Sequence, residues 1–169
     1  MLKHVKQIIF LMIPMLVIGC SSPTAEETML EVESVTQENF NNVKPKPNQV
    51  TEIYSYFLPS EMTVANDLEN NIVLEQGDNI IAVFYDSFIT PNSEKLYEEE
   101  KKKDKKPVLI KKLSENPTGF VKVIKIDGGL YELTVGLGGV KASTITEINQ
   151  LSDQANSLSK LVNSFEFMD

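Results

Sequence analysis

Few residues in this chain have both the type and the spacing that could do chemistry. Ser157-Leu158-Ser159-Lys160 fits S-x-x-K, in which a lysine one helical turn from a serine can take its proton. The working pattern opens a buried helix and needs later Ser-Asp-Asn and Lys-Thr-Gly elements; neither follows here, and Ser157 and Lys160 are expected to face water. Gly136-Leu137-Gly138-Gly139 invites a phosphate-loop reading but lacks both G-x-G-x-x-G spacing and a P-loop lysine, so it reads as a glycine-rich bend at a strand end. Asp67-Leu68-Glu69-Asn70-Asn71 offers oxygens to calcium without the turn glycine or the bidentate glutamate of a calcium loop. His4 is the only histidine and Cys20 the only cysteine, and the chain has no Arg and no Trp. Zinc therefore lacks its usual ligands, and a glycosidase would lack the aromatic platform on which sugars stack. The expectation is a non-enzyme, with no catalytic residue, no cofactor and no metal.

The address is clearer than the chemistry. Lys3 and Lys6 precede an apolar run from Ile8 to Ile18, which at 11 residues is too short for a hydrocarbon core that needs about 20. Residues 1–19 read as a signal peptide. The junction Val17-Ile18-Gly19-Cys20 resembles the lipobox of bacterial lipoproteins. That resemblance implies a diacylglycerol on Cys20, which becomes the new N-terminus; two acyl chains anchor stably where one binds only marginally. The implied location is the extracytoplasmic side of the cell envelope: the outer face of the plasma membrane in a monoderm, the outer membrane in a diderm. Ser21 is not the aspartate that retains many diderm lipoproteins at the inner membrane, and the Lys-only, Asn- and Ile-rich composition leans toward a monoderm.

Residues 20–49 read as a flexible acidic tether, with Glu26, Glu27, Glu31, Glu33 and Glu38 before Lys44-Pro45-Lys46-Pro47. As a coil it would span roughly 30 Å. Residues 50–169 read as a single α+β domain. Strands are expected over Ile53–Leu58, Ile72–Glu75 and Ile80–Tyr85, the last two joined by the tight turn Gln76-Gly77-Asp78-Asn79. Ile80–Tyr85 is apolar at every position, the look of a central strand covered on both faces. Phe120–Ile126 and Leu130–Leu137 form a hairpin around Asp127-Gly128-Gly129, with Tyr131, Leu133, Val135 and Leu137 turned inward. Thr144-Ile145-Thr146-Glu147 fits a capping box opening a helix, whose apolar stripe is Ile148, Leu151, Ala155, Leu158, Val162 and Phe165. Phe165–Phe167 reads as a last short strand. The fold expected is thus an antiparallel β-sheet packed by a C-terminal amphipathic helix.

The order of an aromatic strand ending in Leu58-Pro59, antiparallel strands, and a late helix running into Asn163-Ser164-Phe165 resembles the PsbP and Mog-type α/β sandwich over the last 120 residues. The resemblance implies an accessory or binding protein and carries over no functional residue. The segment from Ser87 to Lys106 is long for a connection and reads as a protruding charged excursion, with a short helix capped at Asn92 or Ser93 and stopped by Pro107. Its lysines Lys101, Lys102, Lys103, Lys105 and Lys106 form a candidate contact surface. Loss of Lys3 and Lys6 with the leader leaves 14 Lys against 24 acidic residues, a net charge of −10 that disfavours nucleic acid. The function expected is a membrane-anchored, non-catalytic binding or accessory module for a protein partner. The alternatives are a carboxylate-dependent envelope hydrolase and a small-ligand carrier, separable by what lines the main cavity.

Overall fold

The computed structural model describes residues 23–103 and 106–168. The signal peptide, Cys20 and Lys105 lie outside the described residues. The chain is α+β. Its main sheet has seven antiparallel strands in the order β3-β4-β5-β9-β8-β7-β6: β3 (Thr63–Leu68), β4 (Asn71–Gln76), β5 (Asn79–Tyr85), β6 (Leu109–Glu115), β7 (Thr118–Lys125), β8 (Leu130–Leu137) and β9 (Val140–Glu147). A three-stranded sheet is formed by β1 (Gln49–Val50), β2 (Tyr54–Tyr56) and β10 (Glu166–Phe167). The helices are α1 (Ala25–Asn41), α2 (Lys95–Lys102) and α3 (Leu151–Ser164).

Alternation along the strands sends one set of side chains to an inner face. Ile72, Leu74, Ile81, Val83, Val121, Val123, Leu133, Val135 and Ala142 are buried there under α3, whose Leu151, Ala155, Leu158 and Val162 fill the same core. Tyr54 and Tyr56 of the small sheet stack on Phe165, which also meets Tyr85 of β5, so the two sheets are joined through aromatic rings. The turns form where expected. Gly77 lies at φ +57° between the paired Gln76 and Asn79, and Gly128 and Gly129 take φ +74° and +78° between β7 and β8.

Four expectations are corrected. The flexible tether is a folded helix over most of its length, for α1 docks on α3 and on β6. Thr24 and Glu27 close a capping box at its start, Val32 is buried, and Glu33 pairs with Lys111 at 3.2 Å. The Asn39 amide donates to Ser159 Oγ at 2.8 Å, and the Asn163 amide donates to the Asn39 carbonyl at 2.7 Å. Second, Thr144–Glu147 is not a helix start but the end of β9, because its backbone pairs with β5 and β8; Thr144 Oγ1 donates to the Ile80 carbonyl, and Thr146 Oγ1 donates to Gln150 Oε1 in the turn that follows. The helix begins after one further 3-10 turn at residues 148–150. Third, the bend expected at Gly136–Gly139 leads into β9, a strand not among those expected. Fourth, the outer face of β5 is covered only at its end, where Phe84 packs against the cluster of Ile89, Leu96 and Phe120; Ile80 is 54% exposed and Ala82 is exposed beside it.

Because α1 is core rather than spacer, Val32→Asp would place a carboxylate in a dry contact and should cost several kcal/mol of unfolding free energy, a large part of the whole stability of a domain this size. Urea unfolding of the purified domain measures this; a midpoint equal to wild type would restore the tether reading.

Candidate functional site

The outer face of the main sheet is divided in two. At the end where β5 finishes and β9 begins, the segment after Tyr85 folds back over the sheet. Ile89 and Leu96 bury Phe120, and Tyr97 packs on the same ring. Gly136 is required beneath them, because a Cβ there would lie 2.2 Å from the Phe120 ring. The protruding excursion expected for Ser87–Lys106 is therefore corrected: its helix packs on the sheet. Ser93 does take part at the start of that helix, its Oγ accepting from the Lys95 amide, though the N-cap residue is Glu94.

What fastens this cover is ionic. Glu100, one turn after Leu96 on the same helix face, is 1% exposed, and its carboxylate accepts from three lysines: Lys103 at 2.6 Å, Lys122 of β7 at 3.0 Å and Lys141 of β9 at 2.9 Å. Lys122, also 1% exposed, donates in addition to the Glu100 carbonyl at 2.7 Å. Burial pushes the Glu100 carboxyl up, but the hydrogen bonds from Lys103, Lys141 and Lys122 outweigh it and hold the group down at about 2.

Beyond this clamp the outer face is open over β5 and β9. A groove of about 870 Å³ runs over Ile80 and Ala82 of β5, Ser143 and Ile145 of β9, and Leu130 and Glu132 of β8. Its far end is closed by the Gln76–Asn79 turn, Glu147 and Gln150. The strand register places Ile80 beside Ile145, Ala82 beside Ser143 and Ile145 beside Glu132, so the floor is a continuous lattice rather than a chance gap. Ile145 is 49% exposed, and the charged lining is wholly acidic: Asp78, Glu132 and Glu147. An apolar floor inside an acidic rim suits a ligand with apolar side chains and cationic flanks.

The remaining residues singled out by sequence fall elsewhere. Ser157 does not face water; its Oγ lies 3.0 Å from Glu61 Oε1 beside a cavity of about 160 Å³ that Ser60 and Lys160 also line. Asp67–Asn71 is the β3–β4 hairpin, with Asn70 at φ +64°, and Asp67 accepts from the Tyr54 hydroxyl at 2.6 Å. Among the described residues, no three His, Cys, Asp or Glu side chains are grouped to hold a metal ion. Of the candidate contact lysines, Lys101 pairs with Glu98 at 2.9 Å and Lys103 with Glu100, while Lys102 and Lys106 are exposed. The groove was missed by sequence reading, and its signal was present: Ile80 and Ala82 share a strand face with nothing in the sequence committed to cover them.

Glu100 is the shared partner of the clamp, so Glu100→Gln, which strands Lys122, should cost about 3–5 kcal/mol, more than Lys122→Met, which leaves Glu100 two other lysines. The pH sign follows from the lowered folded value. The stabilisation is full above the unfolded carboxyl value of 4.5 and is lost as pH falls from there through about 2. Denaturant titrations of wild type and Glu100→Gln between pH 2 and 6 should converge at the acid end.

No family model matches this chain, and no curated protein matches its sequence. It is similar to a protein from Bacteroides thetaiotaomicron VPI-5482 whose crystal structure was determined at 1.50 Å resolution, with 12% identity and a TM-score of 0.41. The likeness covers 69% of this chain and 45% of that one, so this chain spans under half of its length.

Proposed function

We propose that this protein is a membrane-anchored extracytoplasmic lipoprotein, acylated at Cys20, which serves as a non-catalytic binding module for a protein partner. The observation that carries the binding role is the open part of the outer sheet face, where Ile80, Ala82 and Ile145 lie in an acid-rimmed groove. Covering apolar surface is worth roughly 25 cal/mol per Å². The ligand that fits is a partner segment presenting apolar side chains with basic ones on the side that meets Asp78 and Glu147, the groove acids steering it. The exposed Lys102 and Lys106 offer a second contact beside the clamp. The lipobox-like Val17-Ile18-Gly19-Cys20 supports the anchor, and partner contact at the cell envelope follows from it.

Two substitutions test the two halves separately. Cys20→Ser should release the protein from membranes or leave it as unprocessed precursor; full membrane retention of processed Cys20→Ser protein would end the anchor reading. Ile80→Lys adds a charge of the ligand's own sign at an exposed floor position, so the melting temperature should hold within a degree or two. A photo-crosslinking residue at Ile145 in intact cells should lose about 90% of its partner adduct when Ile80→Lys is added. An undiminished adduct would show that the groove is not the contact.

A further inference from the structure

We infer that the anchor sets the orientation of the domain, so that the end of the sheet where acids close the groove faces the bilayer and the partner segment is one lying at the outer membrane interface. This rests on acylation of Cys20. The argument begins with the docking of α1. A 28-residue coil would have let the domain turn freely, but the helix starts at Ala25 and its cap at Thr24 is closed. Only Ser21, Ser22 and Pro23 separate Cys20 from that cap. Four Cα steps of 3.8 Å give a leash of at most about 15 Å.

The direction of α1 then decides which end is held. Its Phe40 packs on Gly119 near the start of β7, and Glu33 pairs with Lys111 near the start of β6, toward the opposite end of the sheet. From Glu33 back to Thr24 the helix runs on for about 13 Å at 1.5 Å per residue, whereas Lys111 is only about 7 Å from the first residue of its strand. The N-terminus of α1 therefore reaches the end of the sheet where β4 and β9 finish and β5 and β8 begin. Gln76, Asp78, Asn79, Leu130, Glu147 and Gln150, which close the groove, lie at that same end.

Charge sets the standoff. Glu26 and Glu27 of α1, Asp78, Asp127 and Glu147 are all exposed at this end, against Lys106 and Lys125. An anionic leaflet repels them over the ~8 Å Debye length of physiological salt. The leash draws the domain in, the acids keep it from lying flat, and the acidic end of the groove sits in the interfacial water layer. A partner held within that layer is reached without a search through bulk.

The test uses the processed, full-length lipoprotein in vesicles containing phosphatidylglycerol. Acylation occupies the only native thiol, so Asp78→Cys and Phe88→Cys each introduce one labelling site, at opposite ends of β5. Energy transfer from the fluorophore to a headgroup-labelled lipid should be several-fold stronger from position 78 than from position 88. A flexible Gly/Ser insert of about 20 residues after Ser22 should erase the difference. Equal or reversed transfer in protein whose Cys20 is acylated by mass spectrometry overturns the orientation while leaving the anchor standing. An asymmetry that survives the insert overturns the leash as its cause, and an unacylated Cys20 overturns anchor and orientation together.

Discussion

The outer face of this protein depends on a single carboxylate. Glu100 is taken out of water and shared by three ammonium groups from two strands and its own helix end. Desolvating such ions costs several kcal/mol each, so the arrangement is tolerable only where every charge is met, and Lys122 is met twice, by the carboxylate and by the Glu100 carbonyl. The helix cannot slide along the sheet without abandoning one of these contacts. Its cover reaches Lys122 of β7 and Lys141 of β9, while Ile80 and Ala82 of β5 and Ile145 of β9 lie open to water.

On the opposite face the decisive contact is polar as well. The helix at Ala25–Asn41 meets the C-terminal helix through Asn39, Asn156, Ser159 and Asn163, with Val32 as its one fully buried apolar side chain. A polar seam of this kind is specific in register because each amide has one satisfying position. It also makes the N-terminal segment part of the rigid body, so that the residues following Cys20 lead into the fold within one short step.

How far these features could be read from sequence depended on how local their causes are. The Gly77 turn, the Asp127-Gly128-Gly129 hairpin and the stripe Leu151, Ala155, Leu158 and Val162 are set by residues close together, and all three stand in the structure. The helix at Ala25–Asn41 was hidden because its buried positions include Thr28, Thr36 and Asn39, which break an apolar stripe. Its readable sign was the capping box Thr24-x-x-Glu27. The reverse error occurred at Thr144–Glu147, where a locally plausible capping box lost to pairing with the neighbouring strands. Glu100 was invisible inside Glu98-Glu99-Glu100 because what distinguishes it lies elsewhere. Lys122, between Phe120 and Ile124 on one strand face, announced a buried cation in need of a partner.

Charge is graded along the outer face, and that grading bears on how a ligand would be held. Three ammonium groups against one carboxylate mark the clamp, with Lys103 and Lys141 partly open to water, while Asp78 and Glu147 close the far end. Between them the floor is apolar along β5 and β9, with Glu132 of β8 beside Ile145. A segment settling there gains most of its affinity by covering Ile80, Ala82 and Ile145, since apolar area is removed from water without a desolvation cost. The two charged ends contribute chiefly direction and encounter rate, attracting the basic side of the segment to one end and disfavouring the reversed placement. On the proposed binding role, a groove so built would discriminate by polarity along its length, which a uniformly apolar pocket of the same volume could not do.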